Sequence, residues 1–194
     1  MRYPPLVATD ARDLQTYPMD FKTVHEQGIP HRAVHIEIVN HQGKYFVWQR
    51  KDGRLEIPGG HVDWVEDQSR PETYEESALR ETTEELNCIT VWKLDLDVVY
   101  ERLREHIFPI AHIINQTPSS HGNNNEWVFV YGLKWQAEWG DPCNIEWLLS
   151  DEGQSPRWML LDEIEHFCLE KPMSINAALR LFMQRHGVLI PLIK

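Results

Sequence analysis

Five charged residues in one short stretch carry the chemistry that this sequence advertises: Glu72, Arg80, Glu81, Glu84 and Glu85. Glu81 and Glu85 are four apart, so on a helix they are neighbours, with Glu84 just outside their row. Like charges at that spacing cost only about half a kcal/mol, so charge alone is compatible with a solvated acidic face. It is equally compatible with a hard divalent cation. Such an ion takes oxygen ligands, and magnesium also draws phosphate oxygens into its shell.

The elements around these residues have to position them. Thr73 is an N-cap candidate, and Glu76 three residues on completes a capping box. Residues 74–86 contain neither Gly nor Pro and read as a helix, which Asn87 can end in the left-handed conformation. Tyr74, Ala78, Leu79, Thr82 and Leu86 fall on its broad packing face. Upstream, the extended run Leu55-Glu56-Ile57-Pro58 ends at Gly59-Gly60, where backbone carbonyls and amides become approachable.

In this register the stretch resembles the signature of the Nudix hydrolases: Gly, five residues, Glu, seven residues, then Arg-Glu-apolar-x-Glu-Glu-x-Gly-apolar. Glu72, residues 73–79, Arg80-Glu81 and Glu84-Glu85 reproduce its second half. Three departures stand out. Residues 61–71 form an eleven-residue spacer, six longer than the family's, with the insertion around 64–70; Thr82 replaces the apolar residue, and Asn87 the closing Gly. The resemblance implies an α/β/α sandwich with a mixed sheet, one signature helix and C-terminal helices. It also implies a pyrophosphohydrolase using magnesium, with manganese as a substitute, held by Glu81, Glu84, Glu85 and the Gly60 carbonyl. The base that takes a proton from water is Glu84 or Glu126, and the sequence leaves both open. Arg80 then fixes neighbouring glutamates, and Glu72 stabilises the corner between loop and helix.

A finer resemblance points to the branch that includes isopentenyl-diphosphate isomerase. In that enzyme, histidines before the first strand, a histidine after a Cys-Gly pair and glutamates on a later strand bind a metal. His25, His31, His61 and Glu126 fall at roughly matching places, and Gly59 stands where the isomerase has its catalytic cysteine. The missing thiol favours the hydrolases of that branch. Three functions are therefore weighed: hydrolysis of a diphosphate linkage in a nucleoside diphosphate derivative or related small molecule, an isomerase-like activity, and non-catalytic sensing of a nucleotide.

The rest of the chain sets bounds. Its 194 residues accommodate one domain, read as an N-terminal extension (1–30) and a single Nudix-type domain (31–190). A net charge of -11 disfavours nucleic acid and anionic membranes as partners, but not a phosphorylated small molecule whose charge metal ions neutralise. Three cysteines without paired spacing suggest neither disulfides nor zinc, and no apolar run reaches a membrane span; a cytoplasmic protein is expected. A homodimer is implied only by the resemblance. Arg50 and Lys51, ending a strand, are candidates for substrate phosphates, as is His61 for the substrate; Trp64 is placed to stack on a base. Asn115-Gln116-Thr117 fits a glycosylation acceptor, a pattern common by chance and irrelevant in a cytoplasmic protein.

Strands are expected over 33–40, 45–50, 90–100, 107–115, 127–135 and 157–160, with helices over 162–169 and 174–186. The proline-bearing first thirty residues read as irregular, 116–125 as a polar loop and 151–156 as another.

Overall fold

The computed structural model of the chain describes residues 4–119, 122–144 and 154–190. The elements in chain order are β1 (Leu6–Thr9), β2 (Thr16–Met19), α1 (Phe21–Gln27), β3 (His31–Val39), β4 (Tyr45–Gln49), β5 (Leu55–Glu56), β6 (Gly59–His61), β7 (Trp64–Val65), β8 (Arg70–Pro71), α2 (Tyr74–Glu85), α3 (Cys88–Trp92), α4 (Leu96–Arg104), β9 (Ile107–Ser119), β10 (Gly122–Lys134), β11 (Gln154–Met159), α5 (Leu161–Glu170) and α6 (Ala177–Arg185). Nine strands hydrogen-bond into one sheet and β7–β8 form a separate ribbon, so the class is α/β. The chain gathers into two compact units, and β3, β9, β10 and α2 each contribute residues to both.

The first unit comprises Met1–His35, Gly59–Arg80 and Pro109–Tyr131. Its N-terminal part is more regular than its prolines suggest. All four residues of β1 are buried. The strand pairs antiparallel with β2 from Leu6↔Met19 to Thr9↔Thr16, and with β3 at Ala8↔His31. Pro4, Pro5 and Pro30 lie outside these strands, and Pro18 sits on β2, the end strand of the path β11-β4-β3-β1-β2. An end strand tolerates a residue without an N–H. Between β1 and β2 the Asp10 carboxylate accepts from the backbone N–H groups of Arg12, Leu14 and Gln15, which fixes the turn. Leu6, Ala8 and Val24 form a small core with Met19, Phe21 and Ile29.

Also in this unit, β6 pairs antiparallel with β3: Ala33↔His61, Val34↔Gly60 and His35↔Gly59. Gly59 has φ +157°, and a Cβ there would lie 2.4 Å from the Val34 carbonyl oxygen. The inserted stretch is the β7–β8 ribbon around a 3₁₀ turn at Glu66–Gln68. The expected polar loop at 116–125 is largely strand, because β9 runs on to Ser119 and β10 begins at Gly122. Gln116 Nε2 donates to Asn125 Oδ1 across the hairpin at 3.2 Å. Polar composition follows from solvent exposure, which a strand can have as well as a loop.

The second unit comprises Ile36–Pro58, Glu81–Phe108 and Gly132–Lys194. Here β3 meets β4 at Val39↔Tyr45 through a turn in which Asn40 Oδ1 accepts from Gln42 and Lys44 N–H and Gly43 has φ +73°. The strand expected over 90–100 is instead helix, α3 followed by α4, separated by Lys93 at φ +54°. The β-branched residues suggest strand by propensity, but Val99 and Leu103, four apart, are the buried pair of α4. Packing at helical spacing overrides propensity. The main core unites Val47, Leu55 and Ile57 with Ile164 and Cys168 of α5 and Ala178, Leu179, Phe182 and Met183 of α6. β11 pairs with β4 and begins at Gln154, within the expected loop at 151–156; residues 151–153 of that loop lie outside the described residues.

Candidate active site and metal centre

The capping box at the head of α2 forms as its sequence requires. Thr73 Oγ1 accepts from the Glu76 N–H at 3.1 Å, and Glu76 Oε2 accepts from the Thr73 N–H at 2.7 Å. Glu76 also takes both terminal nitrogens of Arg70, at 2.8 and 2.9 Å, which clips the inserted ribbon to the helix start. The Arg70 and Thr73 hydrogen bonds pull the Glu76 carboxyl down to about 2. One turn on, Arg80 donates through Nε to Glu72 Oε1 at 2.9 Å and through Nη2 to Glu72 Oε2 at 3.1 Å and the His61 carbonyl at 2.8 Å. Glu72 Oε2 in turn accepts from the Asp63 N–H, and the Glu72 N–H bonds to the Asp63 carbonyl. Glu72 and Arg80 thus lock loop, β6 and helix together.

A further anchor sits at the first residue of α2. The Tyr74 hydroxyl donates to Asp13 Oδ2 at 2.9 Å, and Arg32 Nε donates to Asp13 Oδ1 at 2.7 Å. The Arg32 guanidinium lies 5.0 Å from the Tyr74 ring centroid.

Along α2, Ser77, Ala78, Leu79, Thr82 and Thr83 are buried, and Leu86 follows them. Of the three carboxylates, Glu85 is 8% exposed, Glu81 is half-buried and Glu84 is exposed. They therefore lie on a graded margin, from buried Glu85 to solvent at Glu84. Asn87 ends the helix at φ +49°, its N–H bonded to the Glu84 carbonyl at 3.1 Å. Of the residues expected to meet substrate phosphates, Arg50 grips Glu56 with one nitrogen at 2.9 and 3.1 Å, and Asn176, the α6 N-cap, bonds the same carboxylate. Lys51 is exposed in the turn that follows β4.

His61 belongs to a different constellation. His25 from α1, His31 from the start of β3 and His61 from β6 bring one ring nitrogen each within 4.8 Å of the others. Two of these rings have their tautomer set by the backbone. His25 Nδ1 meets the Phe21 carbonyl and His31 Nδ1 the Ile29 carbonyl, both at 2.9 Å, so each Nδ1 donates and each Nε2 is the atom turned to the centre. Glu126 Oε1 lies 3.7 Å from both His31 Nε2 and His61 Nε2. Those two nitrogens are buried without a hydrogen-bond partner. Burial lowers the His61 pKa to about 3 and that of neighbouring His35 to about 4, so both rings are neutral at pH 7. Burial works to raise Glu126, but His31, then His61 and His35, outweigh it and hold it at about 2. Three converging imidazole nitrogens, with His61 neutral, beside an ionised carboxylate are a donor set for a divalent transition-metal ion. The orphaned nitrogens are what such an ion would satisfy.

On β10, Glu126 alternates with Trp127 and Phe129, and strand neighbours point to opposite faces. Phe129 packs against Tyr74 of α2, with ring centroids 5.2 Å apart. The carboxylate of Glu126 accordingly serves the histidine side of the sheet. Sequence reasoning missed His35 and Asn115 in its surroundings. His31, Ala33 and His35 share one strand face, so period-two counting along β3 was the available signal for His35. Asn115 stood out only as a glycan acceptor; it is 1% exposed and donates to Glu126 instead.

Residues 29–181 match the family model of the NUDIX domain. The chain belongs to the Nudix family. Family membership makes it a Nudix hydrolase, of a kind acting on nucleoside-diphosphate-linked compounds, in a family that generally uses a divalent metal. Among solved structures, DR0079 from Deinococcus radiodurans is similar, with TM-score 0.63 and 18% identity over 93% of this chain and 97% of its own. The MutT protein from Methanosarcina mazei Go1 has TM-score 0.51 and 20% identity, covering 81% of this chain and 93% of its own. Both likenesses carry the Nudix fold. No curated protein matches the sequence.

Proposed function

We propose that this Nudix hydrolase is a magnesium-dependent pyrophosphohydrolase that cleaves the diphosphate linkage of a nucleoside diphosphate derivative or a related small molecule. Glu81, Glu84 and Glu85, with the Gly60 carbonyl, hold the ion. The observation that carries the proposal is the Glu72–Arg80 lock, since it ties the loop before α2 to the middle of the helix that carries all three carboxylates. Bound there, magnesium would neutralise diphosphate oxygens and orient the attacking water. Glu84, the exposed member of the set, is the base that takes the water's proton. Glu126, facing imidazoles, is better suited to a metal ligand than to that task. The enzyme works on a small molecule in the cytoplasm; among the described residues no helix is long and apolar enough to cross a membrane.

The histidine centre supports a second reading, an isomerase-like activity assisted by a metal on His25, His31, His61 and Glu126. Gly59 weighs against it. A cysteine there would place its Cβ 2.4 Å from the Val34 carbonyl oxygen, so the backbone excludes the thiol as well as the sequence lacking it. The two are separated by offering nucleoside diphosphate derivatives, nucleoside triphosphates and isopentenyl diphosphate, each with magnesium, manganese or chelator. Phosphorus-containing products from a nucleotide, lost with chelator, are expected. Conversion of isopentenyl diphosphate to its allylic isomer, with every nucleotide intact, would replace the hydrolase by the isomerase.

A further inference from the structure

Asn115 of β9 and Glu126 of β10 are 1% and 5% exposed. Asn115 Nδ2 donates to Glu126 Oε2, while Oε1 is the oxygen that faces His31 Nε2 and His61 Nε2 at 3.7 Å. The amide's own Oδ1 is buried without a partner. As a device for stability this is a poor arrangement, because a buried acceptor left unsatisfied is costly. What the amide does is hold one carboxylate oxygen, leaving the other directed at the two open imidazole nitrogens.

We infer that Asn115 is the positioning residue of the histidine centre, setting the orientation in which Glu126 meets a divalent metal ion. The inference rests on reading His25, His31, His61 and Glu126 as a metal centre. Residues that hold a ligating carboxylate by hydrogen bonds govern affinity without touching the ion, with losses of about 10–100-fold on mutation. A purely structural role makes the opposite forecast, a change in folding with no change in affinity.

The test is a cobalt(II) titration of the metal-free protein, followed by visible absorption, for wild type, Asn115→Leu, Asn115→Ala and Asn115→Ser. Thermal unfolding of each metal-free variant is measured alongside, so that a variant that fails to fold is recognised and the smaller Ala and Ser side chains supply the comparison. Asn115→Leu and Asn115→Ala should bind cobalt about 10–100-fold more weakly with an altered spectrum, and still unfold cooperatively, at a temperature lowered by the loss of the Glu126 Oε2 donor. Asn115→Ser, which keeps a donor, should recover part of the affinity. Wild-type affinity and spectrum in folded Asn115→Ala would overturn the positioning role and leave the metal centre standing. His31→Ala and His61→Ala are the controls for the centre itself: cobalt binding untouched by both would remove the centre, and the role of Asn115 with it.

Discussion

Gly59 shows how much one residue decides here. Its position beside the Val34 carbonyl and its φ of +157° admit no side chain, so Gly59→Ala should destabilise the protein by more than about 2 kcal/mol in urea unfolding. An unchanged midpoint would mean that β6 shifts freely away from β3. The buried histidines set a second expectation at this scale. His35 and His61 titrate near 4 and 3 when folded against 6.5 unfolded, so below about pH 6.5 the unfolded chain takes up protons that the folded chain refuses. Stability of the metal-free protein should therefore be full above pH 6.5 and fall as pH drops toward 4. Glu76 and Glu126, both lowered from 4.5 to about 2, add a second loss, from about pH 4.5 downward. Urea unfolding across pH 3–8 checks both windows, and a flat profile between 6.5 and 4.5 would contradict neutral buried rings.

The element that matters most, α2, was also the most legible. Thr73, Glu76 and Asn87 announce its two ends through local hydrogen bonding, and Glu72 with Arg80 is a charge pair whose spacing suits nearly two turns of helix beyond the corner. Glu76→Ala removes both the cap and the grip of Arg70, and should cost about 1–2 kcal/mol by thermal unfolding, with Arg70→Ala costing less. Equal loss in both would place the stability in the ribbon contact and not in the cap. The parts that were not legible have one cause, that distant packing chooses between local alternatives. Thr90, Val91, Val98 and Val99 read as strand, yet α3 and α4 form there, with Val99 and Leu103 burying one helical stripe of α4. The polar residues at 116–119 and 122–125 read as loop because strand pairing across a hairpin leaves no composition signal. The N-terminal segment read as irregular from its prolines, although all of them but Pro18 lie outside the strands. At the candidate site, the α2 carboxylates were visible by type and spacing and the three histidines only through the family resemblance, whereas Asn115 becomes meaningful only when β9 is laid beside β10.

Across the whole molecule, the net charge of -11 repels a free nucleotide unless cations intervene, which ties substrate capture to metal concentration. A donor set of carboxylates on α2 and another of imidazoles with Glu126 differ in hardness, the first suited to magnesium and the second to transition metals. The central claim is that the α2 carboxylates perform metal-dependent hydrolysis, with Glu84 as base. Its most direct measurement is kcat for phosphate-bond cleavage of a nucleoside diphosphate derivative under saturating magnesium, in wild type, Glu84→Gln and Glu126→Gln. The account predicts that Glu84→Gln lowers kcat by about 10²–10⁴-fold with folding intact, and Glu126→Gln by much less. A Glu84→Gln enzyme turning over at the wild-type rate, with Glu126→Gln inactive, would contradict it and move the base to β10.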